Sequence, residues 1–199
     1  MEENRLKQFS KLLLIGGSAG SLEVLIEILP LLPDTIDFPI VIILHRRSGQ
    51  DLLLEELIAS KTRLYVQEVE DKTPLLPGCV YIAPADYHLL FEKDHRLALD
   101  ISEKINYSRP SIDVSFESAA KAYGEQLTAI LLSGANADGT QGLYFVKKAG
   151  GTIVVQNPES ALMPFMPKNA AQHNAIDHTA DAKGLTELIQ QMATSSNPS

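Results

Sequence analysis

Two strand-length apolar runs joined by an amphipathic segment constrain this chain more than any other feature. Lys11-LLLI leads into Gly16-Gly17-Ser18-Ala19-Gly20, and Ile40-VIIL leads into His45. Neither run alternates with polar residues, so both faces of each strand must be covered, as inside a parallel sheet. Between them Leu22, Leu25, Ile26 and Leu29 recur at helical spacing, and Pro30 predicts the stop. Parallel neighbours require such a crossover, so the segment reads as a βαβ unit.

The same rhythm continues. Leu52-LLEELIA predicts a helix and Arg63-LYVQEVE a strand. Val80-YIAP, His88-LLFE and Arg96-LALDI are short strands joined by tight turns, with Lys93-Asp94-His95 at one tip. They predict an antiparallel hairpin at a sheet edge. A helix follows Arg109-Pro110 with Ser111 as N-cap. Thr128-AILL, Leu143-YFVKKA and Thr152-IVVQ give strand, helix and strand; Pro167 opens a helix and Leu185-TELIQQM closes the domain. The predicted fold is α/β: a three-layer, doubly wound, mostly parallel sheet with an antiparallel edge hairpin. One domain over 11–192 is expected, with 1–10 and 193–199 as flexible ends.

Composition removes several function classes. With 45% apolar and 21% charged residues in 199, the chain is ordinary globular material. Its net charge of −8 speaks against a general nucleic-acid binder. No apolar run is long enough to cross a bilayer and the charged N-terminus is no signal peptide, which predicts a cytoplasmic protein without membrane insertion. The single cysteine, Cys79, reads as a core residue and excludes a disulfide framework. His173 and His178 are five apart, poor spacing for two ligands on one helical face, and neither a metal nor a cofactor is expected.

Chemistry concentrates at the strand ends. Gly16 to Gly20 matches G-x-S-x-G between a buried strand and an amphipathic helix, the setting of a nucleophile elbow. It fits an anion-binding loop equally well, although the dinucleotide fingerprint G-x-G-x-x-G fails at Ser18 and Ser21. His45 ends the neighbouring strand, so Ser18 and His45 should emerge side by side, ~4.8 Å apart, at the edge where α/β sheets bind ligands. Arg46 and Arg47 leave an NADP-phosphate reading open. Asp138, in Gly134-Ala135-Asn136-Ala137-Asp138-Gly139 after a third buried strand, offers the carboxylate that a Ser–His pair needs. Taken alone, it reads first as a turn residue capping the following helix; as the third member of a set on three strand ends, it reads as catalytic. The order Ser, His, Asp is not that of the α/β hydrolases.

These segments resemble the catalytic domain of the CheB-type chemotaxis receptor methylesterases from about Lys11 to Met192. Ile15-GGSAG resembles that family's I-G-A-S-T-G turn. Leu76-PGCVYIAPADYHL resembles L-P-G-x-x-Y-I-A-P-x-x-x-H-L, and Arg109-PSIDVSFES resembles R-P-S-V-D-x-L-F-x-S. Leu132-SGANADGTQGL resembles L-T-G-M-G-x-D-G-x-x-G-L, and Gln156-NPESALMPFMP resembles Q-x-x-x-S-x-V-F-G-M-P. The resemblance implies Ser18 as nucleophile, His45 as base and Asp138 as orienting acid, with the backbone of Ala19 and Ala135 at the oxyanion. It implies hydrolysis of γ-glutamyl methyl esters on chemoreceptor cytoplasmic helices, and deamidation of receptor glutamines by the same attack. Arg46, Arg47 and Arg109 are candidate contacts for an acidic receptor helix, and Asp86 and His88 are expected to hold local structure.

Departures from the family pattern are Ala19 for its Thr, Ala135 and Asn136 for its Met-Gly, Leu44 for its Gln before the histidine, and Arg46-Arg47 for its Met-Pro. They keep a second reading open, a binding or scaffold module with weakened activity. Family members commonly carry an N-terminal receiver domain. The ten or so residues before the first strand cannot hold one, since a domain needs at least roughly 50. If the chain is complete, an open site is expected, controlled by a separate partner or by expression.

Overall fold

Alternate residues of the first strand face two different cores. In the computed structural model, which describes residues 9–46 and 51–195 (backbone only at 51 and 52), β1 (Leu12–Gly17) is buried throughout. Leu12 and Leu14 point into one apolar cluster, Leu13 and Ile15 into the other. That is the period-2 geometry of a strand sandwiched between helical layers. Each buried Leu or Ile contributes about 1.5–3 kcal/mol, which explains why the run tolerates no polar residue.

The other elements follow in order. They are α1 (Ser21–Ile28), β2 (Ile40–Leu44), α2 (Asp51–Ala59), β3 (Tyr65–Glu68), β4 (Thr73–Pro74), β5 (Cys79–Ile82), β6 (His88–Phe91) and β7 (Arg96–Asp100). Then come α3 (Ile112–Tyr123), β8 (Leu127–Leu131), α4 (Thr140–Lys148), β9 (Thr152–Gln156), α5 (Phe165–His173), β10 (His178–Ala180) and α6 (Ala182–Thr194). Among the described residues the main sheet has seven strands in the order β10-β9-β8-β1-β2-β5-β3, every pair parallel. Helices α3, α4 and α5 cover one face through Phe116, Leu143 and Met166. Helices α1, α2 and α6 cover the other through Leu25, Ile58 and Leu185. The three-layer, doubly wound α/β expectation holds. None of the described helices is long and apolar enough to cross a membrane.

The hairpin is antiparallel as expected, but its place differs in detail. β6 and β7 pair from His88↔Asp100 to Phe91↔Leu97, and β7 pairs on its other edge with β4, making a separate three-stranded sheet. β5, read as part of that group, instead lies inside the main sheet between β2 and β3. The burial patterns explain the sorting. Val80, Tyr81 and Ile82 are all buried and need cover on both faces, whereas in β7 only Leu97 is buried.

Part of the segments 1–10 and 193–199, expected to be flexible ends, is placed in the fold. Phe9 is 4% exposed, stacks on Tyr123 at 5.7 Å and meets the His95 ring edge-on at 4.9 Å, so the His95 turn is partly covered. Ala193 and Thr194 are the last residues of α6. Residues 1–8 and 196–199 lie outside the described residues. Cys79 is half-buried at the start of β5, and burial pushes its thiol up.

Candidate active site

The register of the three central strands brings the sequence candidates to one edge. β1 lies between β2 and β8, with Gly17 paired to Leu44 and Gly16 to Leu131. The next residue on each side continues the ladder: the His45 N–H donates to Gly17 O at 3.1 Å, and the Ser18 N–H to Ser133 O at 2.9 Å. Ser18 and His45 therefore leave adjacent strands at the same level, and the loop bearing Asp138 leaves the strand on the other flank.

Glycine makes this edge possible at two positions. A methyl at Gly16 would stand 2.6 Å from Ile112 Cγ2 and 2.9 Å from the Phe116 ring, so its absence lets α3 press against β1. Gly20 adopts φ +84 at the N-cap of α1, a region L-residues rarely enter, and a Cβ there would lie 2.8 Å from both Leu162 Cβ and Ser133 Oγ. The turn is closed by Ser21, whose N–H donates to Ser18 O at 3.1 Å and whose hydroxyl donates to the same oxygen.

His45 and Asp138 meet across the end of β1. His45 Nε2 is 2.7 Å from Asp138 Oδ2, with the Asp138 side chain fully buried and that of His45 12% exposed. Asp138 is also the cap of a helix, though not of the helix that follows it. Its Oδ2 accepts from Ile112 N–H at 2.7 Å; its Oδ1 accepts from Asp113 N–H at 2.9 Å and from the Ser111 hydroxyl at 3.0 Å. The first-turn N–H groups of α3 thus converge on one carboxylate, the favoured place for a negative charge. Burial pushes the carboxyl up, but the His45 bond and the N–H groups of Asp113 and Ile112 outweigh it and hold Asp138 below the ordinary value.

In the tautomer whose Nε2–H donates to Asp138, the other ring nitrogen, Nδ1, is the acceptor. Asn136 faces that nitrogen: its Oδ1 accepts from Asp138 N–H at 3.1 Å, which leaves its Nδ2 3.5 Å from His45 Nδ1. Asn136 thus serves through its side chain, and its φ is not positive, so tolerance of a left-handed backbone is not used. Among the described residues no hydrogen bond joins Ser18 Oγ to the ring. The backbone N–H groups of Ala19 and Ala135, both exposed, donate to nothing among the described residues and stay available to an oxyanion.

The arginines divide. The Arg46 side chain is 7% exposed, and its Nη2 donates to Glu68 Oε2 and, at 2.8 Å, to Ala83 O, so it braces the ends of β3 and β5. Arg109 donates through Nη1 to Ile101 O and Ser102 O, both at 2.8 Å. Both line an open cavity of about 400 Å³ beside His45, together with Asp86, Lys104 and Tyr107. Arg47 lies outside the described residues. A second cavity, of about 310 Å³, is lined by Ser18, His45 and Arg46 together with Leu22, Leu44, Leu53, Leu54 and Leu57.

Residues missed in the sequence support the carboxylate. Ser111 caps α3, accepting from Val114 N–H at 3.4 Å, as expected, but its reach to Asp138 was not foreseen. His88, 1% exposed, accepts the Ser111 N–H on Nδ1 at 3.2 Å and donates from Nε2 to Glu103 O at 2.9 Å, in keeping with a structural role. Asp113 is the clearest omission. Burial and then the charge of Asp138 push its carboxyl up to about 7. Its first-turn position after an N-cap serine was the available signal. His173 backs onto Asn169 O at 2.8 Å, and His178 sits exposed in β10.

Comparisons with known proteins point to one family. The model of the CheB methylesterase family matches residues 13–189. A Leptospira interrogans protein provisionally named protein-glutamate methylesterase/protein-glutamine glutaminase is 39% identical over 89% of this chain and 92% of its own. The Thermotoga maritima protein-glutamate methylesterase/protein-glutamine glutaminase is 34% identical over 92% of this chain, which spans 54% of that protein. The crystal structure of the Thermotoga maritima CheB methylesterase catalytic domain superimposes with a TM-score of 0.87 at 34% identity, covering 92% of this chain and 98% of that one.

Proposed function

Since the chain belongs to the CheB methylesterase family, we propose that it hydrolyses γ-glutamyl methyl esters on the cytoplasmic helices of chemoreceptors, with Ser18, His45 and Asp138 as its triad. The observation that carries this reading is the His45 Nε2–Asp138 Oδ2 contact of 2.7 Å, with Ser18 on the paired strand beside it.

In this mechanism Ser18 Oγ attacks the side-chain carbonyl while His45 Nδ1 takes its proton. Asp138 keeps the opposite nitrogen protonated and stabilises the imidazolium. The N–H groups of Ala19 and Ala135 receive the oxyanion. Collapse of the tetrahedral intermediate breaks the carbon–methoxide bond, and His45 gives its proton to the departing methoxide. Water then attacks the glutamyl-Ser18 ester by the reverse relay, restoring the serine and leaving glutamate. A glutamine side chain follows the same course with ammonia leaving. The site works in the cytoplasm, where these receptor helices lie. Methanol release from methylated receptor, compared between wild type and Ser18→Ala, tests the proposal. Equal release by the two proteins would overturn it.

A further inference from the structure

The cavity lined by leucines beside Ser18 is far larger than the reaction just proposed requires. Methanol is the only group leaving in ester hydrolysis there, and a methyl needs no more room than a water's ~30 Å³ share. The cavity holds about 310 Å³. Leu22 on α1, Leu44 at the end of β2, and Leu53 and Leu57 on α2 make its surface predominantly apolar. His45, the group that must protonate the leaving oxygen, lines the same cavity as Ser18. An alkoxide departing next to that ring has the leucines within reach of its carbon chain; the polar cavity that contains Arg109 shares only His45 and Arg46 with this one.

We propose a further activity for this site: hydrolysis of carboxylic esters of longer unbranched apolar alcohols, with the alkyl chain of the alcohol seated between α1 and α2. The proposal rests on the reading of Ser18 as nucleophile and adds the leucine cavity as the alcohol subsite. Every step balances. The Ser18 Oγ–acyl bond forms as the acyl–O(alkyl) bond breaks, and the proton taken by His45 goes to the alkoxide, releasing the free alcohol. Water then cleaves the acyl-serine to acid and serine, with no co-reactant beyond water. Because the acyl half stays outside the cavity, the preference belongs to the alcohol.

The test uses a series in which only the alcohol changes: methyl, ethyl, propyl and butyl acetate, followed by acid release at constant pH, with Ser18→Ala as the blank. The intrinsic reactivities of these esters are similar, so a rise in kcat/KM reports the cavity. Each methylene fully buried should raise kcat/KM by about fourfold, giving about 60-fold from methyl to butyl. Leu53→Glu places a carboxylate in the cavity wall at a side chain that is 70% exposed and so leaves the fold intact. It should bring the butyl-to-methyl ratio to within about twofold of one. Covalent labelling of Ser18 by a methyl fluorophosphonate separates the two levels of the argument. Labelling with a flat or falling ester series overturns the alcohol subsite and leaves the nucleophile standing. So does a ratio that Leu53→Glu does not change. No labelling and no ester cleavage overturns both.

Discussion

Asp138 holds His45 at 2.7 Å with the same oxygen that accepts the Ile112 N–H at 2.7 Å. One carboxylate oxygen thus joins the imidazole to the N-terminus of α3. The ring is positioned by a helix rather than by a flexible loop, and the cap of that helix and the orientation of the candidate base cannot be altered independently.

Ser18→Ala should abolish turnover without unfolding the protein. The side chain is partly exposed, and the turn is held by Ser21 and the backbone. Loss of a triad nucleophile lowers kcat by about 10⁶ in a serine protease, and a drop of at least about 10³ is expected here. Steady-state kinetics with a thermal melt checks both halves. An unchanged melt with a tenth of the activity remaining would sink the assignment.

Asp138→Asn should lose both activity and stability, because the two roles share one group. The amide can present the wrong partner to Nε2, which costs about 10⁴ in kcat in serine proteases. It also replaces a charged acceptor of the α3 N–H groups, each such bond being worth about 1.5–3 kcal/mol. Denaturant unfolding beside kinetics on the folded fraction tests this. A stable variant with reduced kcat would mean the cap is dispensable.

How much of this was legible follows from the physics of each element. β1 and β2 have apolar residues on both faces, and only a parallel, helix-covered sheet buries both, so the strand ends carrying Ser18 and His45 could be placed without coordinates. Asp138 was legible as a carboxylate on the same edge, but not as the cap of α3. Its partners Ser111 to Asp113 are about 25 residues away, and pairing at that distance leaves no periodic trace. β5 was misplaced because a four-residue apolar run looks alike in a hairpin and in a central strand. β4 and β10, two and three residues long, fall below any pattern. Arg46 was read as a candidate substrate contact because its partner Glu68 belongs to a strand two places away in the sheet.

Arg46→Ala should act on stability rather than substrate affinity. Its guanidinium is largely buried and bonded to Glu68 and Ala83 O, whereas a substrate contact would leave it exposed. Removing it leaves those acceptors short of a donor, a loss of about 1–3 kcal/mol. The expected pattern is a lower denaturation midpoint with KM for methylated receptor within about twofold of wild type, a change smaller than one lost charged hydrogen bond would give. A raised KM with unchanged stability would return Arg46 to the binding surface.

Gly20→Ala should damage the site from outside it. At φ +84 an L-residue is strained by about 1–2 kcal/mol, and the new methyl meets Leu162 and Ser133 Oγ. Ser18 and Ala19 immediately precede it, so the turn that aims the hydroxyl must shift. Both a lower melting temperature and slower fluorophosphonate labelling of Ser18 are expected. Labelling at the wild-type rate would show that the turn absorbs the methyl elsewhere.

Asp113 gives the fold a pH dependence with a definite sign. In the folded chain its carboxyl is raised from an ordinary 3.8 to about 7, by burial first and then by the charge of Asp138. Between those values the folded state binds more protons at this position than the unfolded state. Stability from Asp113 is therefore present at the acid end and falls as pH rises towards 7. Asp138 works the other way: its folded carboxyl is held below the ordinary value, so its contribution is lost only at more acid pH. Asp113→Asn keeps an oxygen for the Gly142 N–H, which Asp113 Oδ1 now accepts at 2.7 Å, but removes the titration. Urea unfolding from pH 4 to pH 7.5 should show wild type losing stability relative to Asp113→Asn across that window. The variant should be the more stable protein at the alkaline end, because it carries no second buried charge beside Asp138. Parallel curves for the two proteins would show that Asp113 is ionised throughout and is paired by a group other than the Gly142 N–H.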